Sequence, residues 1–192
     1  KQIGTGTNVC RVVDTANNLM PQSLTNPIKA NWQGKSIGMK KPGTTDEYYL
    51  FTVGTDKKPY YHVINTTTGT ETSTNNLLDA TGTNYGYGMA LIIDDTPLAN
   101  STLYLRRYKS ANNTAEIVTI AITTGGIGTP MVPVSFSSYD ANGTGEIQIS
   151  SDGTKLAIAN HKSSYGWWNT QGEIRTYHLN PAHEIVSLYN TF

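Results

Sequence analysis

The sequence predicts an all-β fold built as a propeller-like repeat of antiparallel blades, and three observations predict it. Thr (28 residues) and Tyr (12) suit strands, while Asn (17) and Gly (18) suit turns. Apolar residues recur mostly at period two, and few stretches of a dozen residues escape a Gly, Pro or Asn-Thr cluster, so helix is poorly supported. Finally, a set of strand-like runs repeats along the chain at a fixed spacing.

The anchors of that repeat are residues 48–53 (YYLFTV), 103–108 (LYLRRY) and 156–161 (LAIANH), whose starts lie 55 and 53 residues apart. A second run follows each anchor, at 60–65, 116–122 and 173–179, and another precedes each, at 36–39, 88–93 and 146–150. Turn material separates them: Lys41-Pro42-Gly43, residues 54–59, Ser110 to Asn113, and Ser151-Asp152-Gly153-Thr154. Asp152-Gly153 between two alternating apolar runs predicts a tight type I′ hairpin, because both central residues of that turn need positive φ.

Three or four strands recurring at this interval match the length of a propeller blade. The chain then reads as one domain over 1–192, with blades at 30–83, 84–142 and 143–192 and with 1–29 as outer strands of a preceding blade. A β-sandwich is the alternative, since it too uses many short strands with regular turns. The spacing gives about three and a half blades, whereas closed propellers have about four to eight. An open arc exposes the flanks of its end blades, so closing blades are expected from a longer polypeptide or from another chain.

Charge and composition exclude several function classes. Fourteen Lys and Arg balance fourteen Asp and Glu, which leaves no basic surface for nucleic acid. No apolar run approaches the roughly 18 residues of a membrane-spanning helix. The neutral, hydroxyl- and amide-rich composition suits an extracellular or cell-surface setting. The chain starts without Met or a basic and apolar leader, as expected of a processed or excised segment. Cys10 stands alone and is expected as a small core residue.

The segment 145–160 (GEIQISSDGTKLAIAN) carries a resemblance. It is similar to the strand, Ser-Asp-Gly turn, strand hairpin of the YVTN and WD40-like repeat propellers, with Ser151 where many members have Pro. Together with residues 46–65 (DEYYLFTVGTDKKPYYHVIN) and the 172–179 strand, it resembles the propeller-like N-terminal regions of large secreted Bacteroidetes surface proteins, some of them RHS-associated or exported by type IX secretion. The resemblance implies a bacterial secreted scaffold or binding module engaged in protein-protein interaction, with other blades or domains of a larger protein, or a surface protein or glycan, as partners. It supplies no catalytic residue set.

The residues themselves offer little chemistry. His62, His161, His178 and His183 form no metal-ligand motif, and His178 and His183 flank an Asn180-Pro181 turn. Asp46-Glu47 and Asp94-Asp95 are adjacent pairs whose side chains alternate to opposite faces, unlike a glycosidase acid and base. No cofactor is expected; Asp94, Asp95, Asp140, Asn142 and Asp152 admit a calcium ion only as turn oxygens. Gly125 to Gly128 reads as a loop. Asn65, Asn100, Asn112 and Asn142 head Asn-x-Ser/Thr triplets, and Asp14-Thr15-Ala16 matches a short O-glycosylation acceptor.

The candidate binding element is Tyr165-Gly166-Trp167-Trp168-Asn169, between the runs at 156–161 and 173–179. Aromatic faces beside amides hold sugars and proline-rich peptides, and the opposing expectation is that the pair packs on a blade edge. Tyr85-Gly86-Tyr87 takes a similar place before another blade and invites the same two expectations. The function expected is therefore a non-catalytic binding scaffold that presents loops, with a carbohydrate hydrolase or lyase as the alternative.

Overall fold

The computed structural model describes residues 28–29, 36–80, 84–93, 101–109, 112, 114–137, 146–163 and 170–192. Every sheet among them is antiparallel and no α-helix occurs. The chain divides into two compact units, Lys1–Thr81 and Gly82–Phe192.

The first unit holds β1 (Ile37–Lys40), β2 (Glu47–Val53), β3 (Pro59–Asn65) and β4 (Thr70–Leu77), paired in sequence order. Tyr49, Phe51 and Val63 are buried on one face, and Tyr49 packs edge-on to Tyr61 with ring centroids 5.9 Å apart. On the other face lies a buried polar chain. His62 sits with Nε2 3.1 Å from Thr52 Oγ1 and Nδ1 3.0 Å from Glu71 Oε1. The Thr52 hydroxyl donates to the Lys29 carbonyl at 2.7 Å, which ties the buried Ile28 segment to the sheet. Tyr60 donates to Asp56 at 2.5 Å across the β2–β3 turn, and burial with that hydrogen bond pushes its phenol up to about 12.

The second unit holds two sheets. The first contains β5 (Tyr85–Ile92), β6 (Ser101–Lys109), β7 (Thr114–Thr123), the two-residue β8 (Gly126–Ile127) and β9 (Met131–Ser137), with β8 and β9 both paired to β7. The other contains β10 (Ile147–Ile149), β11 (Lys155–Ser163), β12 (Thr170–Leu179) and β13 (Ile185–Thr191), in that order. Both are meanders of consecutive strands, so neither sheet borrows a strand from the other.

These two sheets stack face to face. Ala90, Tyr104, Ala115, Ile117 and Phe136 of one interdigitate with Ile147, Leu156, Ile158, Tyr177 and Leu179 of the other. Alternation places each set on one face, and β10 lies against β5 and β6. Burying each of the Ile, Leu and Phe side chains contributes about 1.5–3 kcal/mol, and each alanine methyl about 0.8 kcal/mol. Polar links cross the same contact: Arg106 Nη2 donates to Asn160 Oδ1 at 2.8 Å, and the Arg175 guanidinium lies 4.7 Å from the Phe136 ring centre.

The central strands of the β5–β9 sheet, β6 and most of β7, are buried on both faces. Eight consecutive residues of β6 are buried, with Leu103 and Leu105 opposite Tyr104 and Arg106. Arg107 on the Leu105 face donates twice to Glu116 Oε2, at 2.9 and 2.6 Å, and Lys109 Nζ lies 2.7 Å from Glu116 Oε1. Burial pushes the Glu116 carboxyl up, but the hydrogen bonds and charges of Lys109 and Arg107 outweigh it and hold the group below the usual carboxylate range.

One expectation needs correction, and one is made specific. Of the three or four strands expected per repeat, the runs located three, and each sheet adds an outer strand at β4, β9 or β13. These outer strands are polar or exposed, so they lack the alternation that reveals a half-buried strand. The Asp152-Gly153 turn is not type I′: Gly153 has φ +68° while Asp152 keeps negative φ. Gly153 N–H instead bonds Ser150 O at 2.9 Å and Ser150 N–H bonds Lys155 O at 3.0 Å, making a type I turn closed by a left-handed glycine. The Asp152 carboxylate takes hydrogen bonds from Ser150 Oγ, Thr154 N–H and Thr154 Oγ1, which lower its pKa to about 2. The expected outer strands at 1–29 lie outside the described residues, apart from Ile28 and Lys29.

Candidate functional site

In the second unit a groove of about 390 Å³ opens where the β10–β13 sheet stops short of covering its neighbour. Thr102, Thr119 and Ala121 form its floor, all on the Tyr104 face, because Thr102 pairs with Ala121 and Tyr104 with Thr119. One wall is Thr129, Met131 and Pro133, which lead into and along β9. The opposite wall is the β12–β13 turn, with Ala182, His183, Glu184 and Ile185.

Local sequence explains both walls. Asn180-Pro181 starts a turn in which proline presets the φ of the first corner. Asn180 Oδ1 then accepts from the Ala182 and Glu184 N–H groups, each at 2.9 Å, and Asn180 Nδ2 donates to Glu184 Oε2 at 2.8 Å. His183 closes the turn in the left-handed region at φ 62°. The buried Tyr104 hydroxyl donates to the His183 carbonyl at 2.6 Å, fixing this turn to the neighbouring sheet. Burial pushes the Tyr104 phenol well above its ordinary pKa, so it stays a donor at any physiological pH. Across the groove, Gly128 N–H bonds Ala121 O at 2.8 Å. A Cβ at Gly128 would stand only 3.1 Å from that oxygen, so glycine permits the close return of the chain.

The groove offers threonine hydroxyls on its floor, aliphatic and thioether surface on its walls, and an imidazole with a carboxylate at one end. Among the described residues no Phe, Tyr or Trp ring lines it. Such a surface hydrogen-bonds backbone amides and covers small aliphatic side chains, whereas a sugar ring calls for an aromatic platform.

The sequence-predicted residues lie elsewhere. Tyr165, Trp167, Trp168 and Asn169 fall outside the described residues; the strand ends that flank them, Ser163 and Thr170, pair at the end of β12 remote from the groove. Tyr85 and Tyr87 belong to strand β5 rather than to a loop before it. The Tyr85 ring is 0% exposed, with the Arg107 guanidinium 5.8 Å from its centre, so this tyrosine packs inside the sheet and is not a rim residue.

Other expected groups are also accounted for. His62 is buried with Thr52 and Glu71, His178 packs edge-on to Tyr189 at 4.6 Å, and His183 shapes the groove turn. Asp46 accepts from Asn65 Nδ2 at 2.8 Å, and Glu47 pairs with Lys41 at 2.5 Å. Among the described residues no three His, Cys, Asp or Glu side chains gather as a metal site. Cys10, Asp14, Asp94, Asp95, Asn100, Asp140 and Asn142 lie outside the described residues.

Sequence reasoning missed the groove because its two walls lie some fifty residues apart and meet only through sheet stacking. Asn180-Pro181 was legible as a turn, and that was the single signal available. No protein-family model matches the chain, and no curated protein or solved structure shows significant similarity to it.

Proposed function

We propose that the chain is a propeller-like repeat domain of a secreted or surface-exposed bacterial protein, serving as a binding module for extended peptide segments of other proteins. The groove between the β7–β9 connection and the β12–β13 turn carries this proposal: it is concave and mainly apolar, with threonine hydroxyls on its floor and no Phe, Tyr or Trp among its described lining residues. The peptide class is thereby preferred to glycan at this site. The propeller assignment draws support from the meander order of each sheet and from the neighbouring first strands β5 and β10. Greek-key sandwiches, by contrast, interleave distant strands between sheets. The resemblance of residues 145–160 to the YVTN and WD40-like hairpin supports the same assignment and the extracellular location.

The test is a titration of isotope-labelled protein followed by amide chemical shifts. Extended aliphatic and proline-containing peptides should move Thr102, Thr119, Ala121 and Ile185. Oligosaccharides that move Tyr165 to Asn169 instead would shift recognition to the aromatic loop and overturn the groove assignment. Silence with both ligand classes would reject the binding role.

A further inference from the structure

The sheet of the first unit meets a further piece of chain at Ile28 and Lys29, and a closed ring of hydrogen bonds holds it there. Lys29 N–H donates to Asn75 Oδ1 at 2.9 Å, and the Lys29 carbonyl accepts from the Thr52 hydroxyl at 2.7 Å. Both partners lead to one imidazole. Asn75 N–H donates to His62 Nδ1 at 3.2 Å, and His62 Nε2 lies 3.1 Å from Thr52 Oγ1. The register explains why a ring nitrogen takes this amide. Tyr61 pairs with Asn76 and Val63 with Ser73, so Thr74 and Asn75 bulge opposite His62, and Asn75 adopts φ 53°. A bulge takes an amide out of the ladder, and a buried side chain supplies its acceptor instead.

Proton accounting settles one side of the imidazole and leaves the other contested. Thr52 gives its hydroxyl proton to Lys29, so its oxygen accepts from Nε2–H of His62. Nδ1 has two neighbours with opposite demands. Asn75 N–H needs the Nδ1 lone pair, whereas the Glu71 carboxylate, with Oε1 3.0 Å away, needs a proton between the two atoms. The two side chains are buried, His62 at 0% and Glu71 at 6% exposure, so water screens neither. The charged groups that the described contacts bring to this cluster are Glu71 from β4, Lys29 from the held segment and Asp56 from the β2–β3 turn. The last two meet at the Tyr60 hydroxyl, 3.4 Å from Lys29 Nζ and 2.5 Å from Asp56 Oδ2. Carboxylate, imidazole and hydroxyl stand in the order of a nucleophile relay, but Thr52 is 1% exposed and its proton is committed to a carbonyl, which makes it a tether and not an attacking group.

We infer that the His62–Glu71 pair is a proton-operated latch on the Ile28–Lys29 segment. Without a shared proton, Nδ1 accepts from Asn75 and the ring around Lys29 is closed. A proton taken up by the pair lies between Nδ1 and Glu71 Oε1, whichever atom holds it, and Asn75 N–H then loses this acceptor. The ring opens at Asn75, its Oδ1 is no longer positioned for Lys29 N–H, and the Thr52 bond stays in place. Acid therefore loosens the segment that carries the buried Ile28, and neutral pH fastens it.

Nitrogen shifts of the imidazole and amide spectra of the labelled chain, recorded between about pH 4 and 8, test this. At neutral pH His62 should show a protonated Nε2 and a bare Nδ1. On acidification Nδ1 should gain a proton, and the Asn75 and Lys29 amides should shift with the same midpoint. Exchange protection at Lys29, corrected for the intrinsic rate, should fall about fivefold or more, the loss of one hydrogen bond. Glu71→Ala removes the partner of a protonated Nδ1 and should displace the common midpoint to lower pH. A midpoint that stays in place in that variant overturns the latch. So does a protonated Nδ1 at every pH, a bare Nδ1 at every pH, or a titration of His62 to which Asn75 and Lys29 do not respond. These last three readings come from the unmodified chain, so they decide the matter even where the variant does not fold.

Discussion

The β5–β9 and β10–β13 sheets are built from the same meander, yet one is an interior layer and the other a margin. Eight successive residues are buried in β6 of the first, whereas β11 alternates buried Leu156, Ile158 and Asn160 with Ala157 and the exposed Ala159. An element covered on both faces loses its period-two signature, because every side chain meets protein. It must also neutralise any charge it buries, which is why Arg107, Lys109 and Glu116 are clustered. A marginal sheet is free of that demand, and it keeps apolar side chains in water that the interior sheet would have buried.

The largest expected break in this contrast is Glu116→Gln. Removing the carboxylate strands Arg107 in a buried site, at a cost of about 3–5 kcal/mol, measured by chemical denaturation. The pH profile gives the sign. Glu116 titrates below its unfolded value, so its stabilisation is complete above roughly pH 4.3, the ordinary glutamate value, and is lost as pH falls through the lower folded value. The acid limb should flatten in the variant; an unchanged limb would show that the cluster contributes nothing.

Next come paired truncations. Ile117→Ala, in the layer buried on both faces, should cost about 2–5 kcal/mol through a cavity. Ile174→Ala on the exposed face should stay within about 0.5 kcal/mol. Equal losses at the two sites would erase the distinction between interior and margin.

Smaller again is Tyr104→Phe. It leaves the His183 carbonyl without its donor and should cost about 1–3 kcal/mol, while loosening the groove turn enough to raise hydrogen exchange at Glu184 and Ile185. Unaltered exchange there would mean that Asn180 alone holds the turn.

The smallest effect is expected at Asp152, fully exposed in its turn. Its folded pKa of about 2, below the ordinary value near 3.9, makes its contribution complete above about pH 4 and lost between about pH 4 and 2. Asp152→Asn should remove that slope by bringing the plateau above about pH 4 down towards the acid value, and nuclear magnetic resonance titration of the carboxyl should give the midpoint directly.

Much of the fold was legible residue by residue. The runs at 48–53, 103–108 and 156–161 are β2, β6 and β11, and their flanking runs are the strands on either side. Alternation and turn chemistry are local properties, so a sequence states them openly. The outer strands were illegible: β4 reads TETSTNNL, without apolar alternation, and Pro133 interrupts the pattern of β9. Tyr85 looked like a rim aromatic because Gly86 flanks it, but cross-strand partners, Arg107 among them, draw it into β5.

By itself, then, the sequence determined that this chain is β-structured, repetitive, neutral and rich in turns, since strand period, turn residues and charge balance need only neighbours along the chain. Tertiary structure decided which faces are covered, which strands close each sheet and where the groove opens. Those follow from stacking between residues fifty or more positions apart, as when Tyr104 reaches His183, and no local pattern encodes such a meeting.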